Sequence, residues 1–185
     1  MGDDHLYGGL GADILDGGAG NDTANYFFAT ADVSVDLGLN LGTQGEASGD
    51  TYFSIENIAG ADAGNDTLIG NGAGNTIWGN AGDDTILGKG GNDFLIGGAG
   101  DDLFVFENIA SNDTVADFSA GAGSPDVLDL GDFNLLSSYA DFNDFMANAA
   151  SEAAGNTTLT LDADNSVTLI GVSIADLHQD DLLFF

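Results

Sequence analysis

One inward-pointing apolar residue in every nine is the dominant pattern of this chain, and it recurs in eight segments. The eighth place of each segment is Leu6, Leu15, Ala24, Leu68, Ile77, Ile86, Leu95 or Phe104. The sixth place is always Asp or Asn: Asp4, Asp13, Asp22, Asp66, Asn75, Asp84, Asp93, Asp102. Glycine dominates the first four places, as in Gly97-Gly98-Ala99-Gly100. A short β-prone triplet after a glycine-rich run predicts a three-residue strand after a six-residue loop. Self-similarity at a fixed period means a solenoid in which each turn is completed by its neighbours. The expected fold is all-β, a right-handed parallel β-roll or β-solenoid.

The period is clear over residues 1–25 and again over 61–105. Between them, residues 26–60 break it. Val33 to Leu37 alternates and Thr51 to Ile58 is β-prone, so this insert is either an enlarged stretch of the solenoid or a flap on its side. After Phe104 the glycines stop. Asp113 to Phe118 and Asp126 to Leu130 read as short strands or turns with acidic corners. Ser137 or Ser138 is expected to cap a helix running to about Ala154, with Phe142, Phe145, Met146 and Ala149 on one face. A hairpin follows, Thr157 to Leu161 and Val167 to Ile170, turning at Asp164-Asn165. The expected division is a roll over 1–118 and a small cap over 119–185 containing that helix and hairpin.

Composition narrows the chemistry. The 185 residues carry 31 acids against one base, Lys89, for a formal charge of −30. Of those acids 27 are Asp and 4 are Glu; Glu is the better helix former, so the excess of Asp points to turns and metal loops. Such charge excludes phosphate-backbone binding as a main role and argues against anionic lipid surfaces. With 43% hydrophobic residues a core can form once the charge is neutralised. The absence of cysteine removes thiolate chemistry. Met1 precedes a repeat already in progress, which suggests a C-terminal piece of a longer protein without a signal peptide of its own.

Two nonapeptides make one turn of the roll, so residues eighteen apart stack: Asp66, Asp84 and Asp102 on one edge, Asn75 and Asp93 on the other. Asp4 stacks with Asp22, whereas Asp13 lacks an evident partner. Parallel strands lie about 4.8 Å apart, and calcium sits about 2.4 Å from each oxygen ligand. An ion between two stacked carboxylates therefore fits the strand spacing. Glycines let loop carbonyls turn toward the same ion; the candidates are those of Gly79, Ala81, Gly82, Gly88, Gly90, Gly91, Gly97, Ala99 and Gly100. Six or more oxygens describe calcium rather than zinc. Without metal, unit charges about 4.8 Å apart repel by roughly 1 kcal/mol in water and about 3.5 at an effective dielectric of 20. About five or six sites of 0.1 mM affinity add roughly 7–8 kcal/mol at 1 mM calcium, comparable to a domain's net stability.

The repeats resemble the RTX (repeats-in-toxin) nonapeptide of secreted bacterial proteins. Phe104-Val105-Phe106, with Asp113 to Phe118 and Asp126 to Leu130, is similar to the segment closing serralysin-type C-terminal domains, and alginate-epimerase R-modules are similar too. The resemblance implies calcium on Asp66, Asp84, Asp93 and Asp102, with Asn75 departing from the pattern. Asp181-Leu182-Leu183-Phe184-Phe185 resembles the acidic and hydrophobic end of type I secretion substrates.

No catalytic constellation is visible. His5 and His178 lie far apart and read as surface residues, and pairs such as Asp83-Asp84 recur as loop positions. The outward ninth places Ile69, Trp78, Leu87, Ile96 and Val105 form an apolar stripe. Either the insert or the helix covers it, or it docks a catalytic domain, a second copy, or a sugar chain on Trp78. The expected function is a non-catalytic, secreted, extracellular calcium-binding module, whose folding is driven by several Ca2+ ions and coupled to the type I secretion machinery. The rival reading is a polysaccharide-binding or adhesion module of a secreted enzyme. A self-assembling surface-layer protein is a third.

Overall fold

The computed structural model describes residues 2–123 and 126–184. The chain winds between two faces. The first sheet orders nine strands as His5–Leu6, Thr23–Asn25, Asn57–Ala59, Thr76–Ala81, Phe94–Ala99, Ser111–Val115, Asn165–Leu169, Asn156–Thr160 and Ala150–Ala153. All neighbours are parallel until the last two pairings, which are antiparallel. The second sheet orders Leu182–Leu183, Val127–Asp129, Leu103–Val105, Thr85–Leu87, Thr67–Ile69, Ser34–Asp36 and Leu41–Gln44. Ile14–Asp16 and Thr51–Phe53 form a separate parallel pair. This is a parallel β-roll, as the nine-residue period predicts.

Strand register follows from one column of apolar residues per face. In the first sheet Leu6, Ala24, Ile58, Ile77, Leu95, Val115 and Leu169 fall in line. In the second, Val35, Leu68, Ile86, Phe104, Leu128 and Leu182 do so. Apart from half-buried Leu6 these side chains are fully buried. A slip of one residue would turn a whole column outward, so burial fixes the pairing. The core is thus only two side chains thick.

The insert is an enlarged coil of the same roll. From Thr23–Asn25 the chain crosses to Ser34–Asp36, which pairs with Thr67–Ile69 of the second block. It then folds back through the antiparallel strand Leu41–Gln44 and a 3-10 turn at Gly45–Ala47. Thr51–Phe53 returns to the first block, and Asn57–Ala59 fills the first sheet between Thr23–Asn25 and Thr76–Ala81.

The cap corrects the sequence reading in two places. The helix is Phe142–Ala149, capped by Asp141, whose carboxylate accepts the Asp144 N–H at 3.0 Å. Ser137 instead bonds the Asn134 carbonyl within a 3-10 turn, Leu135–Ser137. The helix stops at Ala149 because Ala150–Ala153 is claimed as a strand by Asn156–Thr160. The hairpin pairs Asn156–Thr160 with Asn165–Leu169, its turn closed by Asp162 on the Asn165 side chain. Tyr139 and Phe184 pack edge-on against Phe145 on the inner side of the helix.

The ninth-place stripe also divides. Alternate repeats go to opposite sheets, so Ile69, Leu87 and Val105 align on one outer face and Trp78 with Ile96 on the other. All five are half-buried. The helix packs on Ala150–Ala153 and Asn156–Thr160, away from these strands.

Because Ile86 is central and fully buried, Ile86→Ala should destabilise the fold by about 2–5 kcal/mol. Thr85→Ala, on the outward face of the same strand, should change stability by less than about 0.5 kcal/mol. Urea denaturation of both variants measures the contrast; equal losses would contradict a core this thin.

Candidate metal centre

The loops between strands carry the sixth-place residues, and the sheets stack them. Each donates its backbone N–H to the Oδ1 of the sixth-place residue one coil further on. On one edge Asp66 N–H bonds Asp84 at 2.8 Å, Asp84 bonds Asp102 at 3.0 Å, and Asp102 bonds Asp126 at 3.1 Å. On the other edge Asp4 N–H bonds Asp22 at 2.7 Å, Asn75 bonds Asp93 at 2.7 Å, and Asp93 bonds Asp113 at 2.9 Å. Asp13 has a partner after all: its N–H bonds Asp50 Oδ1 at 2.8 Å.

Asp126, Asp113 and Asp50 therefore extend these stacks, although no sequence argument had placed them in the site. Their spacings are 24, 20 and 37 residues, outside the period of eighteen. Asp50 is fully buried, its Oδ2 accepting the Tyr26 hydroxyl at 2.7 Å, and Tyr26 and Tyr52 share a hydroxyl contact of 2.8 Å. Burial raises both tyrosine pKa values well above the ordinary phenol value, so both hydroxyls stay protonated as donors.

A second ladder runs at the fifth place in the opposite sense. Asp3 accepts the Asn21 N–H, Asn65 that of Asp83, Asp83 that of Asp101, and Asn92 that of Asn112, each near 2.9–3.0 Å. Paired Asp-Asp and Asn-Asp loop residues are thus clips between coils.

The second carboxylate oxygen decides what the site can hold. Oδ2 of Asp13, Asp22, Asp84, Asp93 and Asp102 is buried and accepts no hydrogen bond among the described residues. A side chain at Gly79 would meet both the Asp84 Oδ2 and the Gly97 carbonyl, and one at Gly60 the Asp66 Oδ2 and the Gly79 carbonyl. A side chain at these glycines would fill that space. Oxygens that converge without a donor between them repel, and buried unpaired charge is heavily penalised. A cation removes both terms. Among the described residues no three acidic, His or Cys side chains converge on one point. A cation here takes main-chain carbonyls as well as carboxylates, the oxygen set that suits calcium.

Nonapeptide repeats of the RTX calcium-binding family match the sequence in four copies, over residues 2–24, 60–95 and 78–107. The chain carries RTX calcium-binding repeats. Calcium is their ion. No curated protein matches the chain. Among solved structures, extracellular lipase LipA from Serratia marcescens is similar at 18% identity with a TM-score of 0.43, over 100% of this chain and 37% of that one. The chain spans little more than a third of that lipase's length.

Within the RTX loops the expected carbonyl donors differ in what already binds them. The third-place carbonyls of Ala81 and Ala99 accept the N–H groups of Gly64 and Gly82 one coil back, each retaining one lone pair. First-place Gly88 and Gly97 carbonyls face the previous coil's glycine, Gly70 and Gly79 respectively, and Gly88 itself abuts Asp93 Oδ2. Gly82, Gly91 and Gly100 hold φ of 133°, 104° and 144°, values open to glycine. Gly90 donates to the Asn71 carbonyl at 3.2 Å. Asn75 departs as its chemistry requires: its amide donates to the Glu56 carbonyl at 2.7 Å, and its Oδ1 accepts the Asn71 N–H. His5 and His178 are exposed.

Burial pushes Asp66 and Asp84 up to about 6, and Asp93 and Asp102 up to about 7, from 3.8. A folded-state pKa above the unfolded one favours folding at low pH, and that contribution is lost as pH rises through the folded value. In chelator, acidification from about pH 8 to about pH 5 should therefore raise the β signal. With calcium present the same change should weaken ion binding, because protons and calcium compete for the same oxygens. Far-UV circular dichroism at both pH values checks the sign; a chelated protein that loses β structure on acidification contradicts it.

Proposed function

We propose that the chain is a non-catalytic, extracellular module whose folding is driven by calcium arriving in the stacked loops. The observation that carries the reading is the set of five buried, unpartnered Oδ2 atoms on Asp13, Asp22, Asp84, Asp93 and Asp102. These atoms are the ligands, with the loop carbonyls beside them; Asp4 contributes through the coil it clips to Asp22 and Asn75 only through its amide oxygen, whereas both oxygens of Asp66 already accept N–H groups from Val33 and Ala61. Where cytosolic calcium is submicromolar, sites of millimolar to sub-millimolar affinity contribute almost nothing. Outside the cell the same sites fill. A chain that stays unfolded until then suits passage through a type I secretion machine.

The cap suits a folding nucleus that precedes ion binding. The acidic groups there and at the end of the roll beside it already have donors: Asp126 Oδ2 accepts the Ser119 N–H, Asp113 Oδ2 the Ser111 hydroxyl, and Asp181 the N–H groups of Gly121 and His178. The secretion signal belongs to the same end, around Asp181 to Phe184; Phe185 lies outside the described residues. No helix among the described residues is long and apolar enough to cross a membrane.

Titrating calcium into chelated protein, with magnesium as control, tests the reading by circular dichroism. A cooperative gain of β structure specific to calcium is the expected result. A β-rich, heat-stable fold in excess chelator would overturn it. Gly79→Ala, which inserts a methyl between Asp84 Oδ2 and the Gly97 carbonyl, should shift the calcium midpoint upward by about tenfold or more.

A further inference from the structure

The first repeat block meets the insert at a loop that is not a nonapeptide. Asp16 pairs with Phe53 and Thr23 with Asn57, so the six residues 17–22 are stacked on only three, Ser54-Ile55-Glu56. Ser54 takes the place of a first-place glycine, with a left-handed φ of 51°, and Gly17 N–H bonds the Phe53 carbonyl at 3.0 Å. Glu56 takes the sixth place: its Oε2 accepts the Asp22 N–H at 2.9 Å, the bond that Asp Oδ1 makes elsewhere in the ladder. Its own N–H and that of Asn57 return to the Asp22 carbonyl at 3.0 and 2.9 Å. The substitution of Glu for Asp has a geometric reason. A loop half as long leaves the backbone short of the stack, and one more methylene restores the reach.

Asp22 is fully buried, and its Oδ2 has no partner among the described residues. A side chain at Gly17 would meet both that oxygen and the Ser54 carbonyl, the same convergence found at Gly79. We propose that Asp22 and Glu56, with the Ser54 carbonyl, hold a calcium ion at a site outside the repeat register, and that this ion joins the first block to the insert. The inference rests on the calcium reading above.

Isothermal titration of calcium into the whole chain tests it, with Glu56→Gln, Asp22→Asn and the double variant beside the unaltered protein. Both substitutions keep an acceptor oxygen for the neighbouring N–H and remove one charge. Each single variant should lose one bound ion, or about tenfold in affinity at one site, and the double variant should lose the same single ion. Unchanged binding in Glu56→Gln, or losses that add to two ions in the double variant, would overturn the shared site. Should Glu56→Gln fail to fold at saturating calcium, Glu56→Asp replaces it. Retaining charge but lacking the reach, it should bind the full number of ions with one site weakened, and unaltered affinity at every site would sink the proposal. Failure of the unaltered protein to bind calcium would instead refute the function on which this inference depends.

Discussion

Everything in this fold depends on how a buried carboxylate disposes of its two oxygens. In each stacked loop Oδ1 is used by the protein, as the acceptor for an N–H one coil back. Along the middle of each stack Oδ2 is not. The geometry that completes the backbone hydrogen bonding therefore also fixes a row of negative charges in a desolvated place. Hydrogen bonding from a single amide does not offset the burial of a full charge, as the raised pKa values of Asp84 and Asp102 reflect. A core two side chains thick supplies little surplus to set against that row. A cation would offset that row of charges, and the oxygens that would hold it are oriented by the fold.

Each coil consequently depends on its neighbours through three kinds of contact at once. The eighth-place columns bury apolar surface, the fifth- and sixth-place ladders clip successive loops in opposite senses, and carboxylate oxygens of one coil converge with loop carbonyls of the next. Solenoid stability is a sum of coil and neighbour terms, and here all three contacts enter the neighbour term. The insert keeps these connections. It departs from the period but returns Asp50 to Asp13 and Glu56 to Asp22, so the ladder of carboxylates reaches into it.

The repeat was legible because period and geometry coincide: eighteen residues make one turn, and positions that recur at eighteen in the sequence stack in space. The eighth-place core and Asp66, Asp84, Asp93 and Asp102 could be read directly for that reason. Asp113, Asp126, Asp50 and Glu56 occupy equivalent places in the coil after loops of other lengths, and a period cannot register them. An acidic residue immediately before or two before a short β-prone triplet was the available signal, as in Asp126-Val127-Leu128. The ninth places look like one stripe along the sequence, but alternate repeats share a sheet, so they divide between two faces. The helix ends earlier than its apolar face suggests, because the competing strand Ala150–Ala153, with only alanine, serine and glutamate, carries no strand signal in the sequence.

How the stacks end follows from the same constraint. At the sixth place beyond Asp66 the chain puts Val33, and beyond Asp113 it puts Val167; both are buried and neither carries charge. Next to each valine, the last acid finds protein donors in place of an ion. Asp66 accepts N–H groups from Val33 and Ala61 at 2.8 and 2.6 Å, and Asp113 accepts from Asp93 and the Ser111 hydroxyl. At the other end of the Asp66 stack, Asp126 is closed by Ser119 and Asp102. An array that stopped on an unsatisfied carboxylate would leave half a site, with the charge buried and too few oxygens to hold calcium. Replacing the next acid by valine and the missing ion by an amide or hydroxyl removes that half-site, so the row of charges terminates without one of its members left bare.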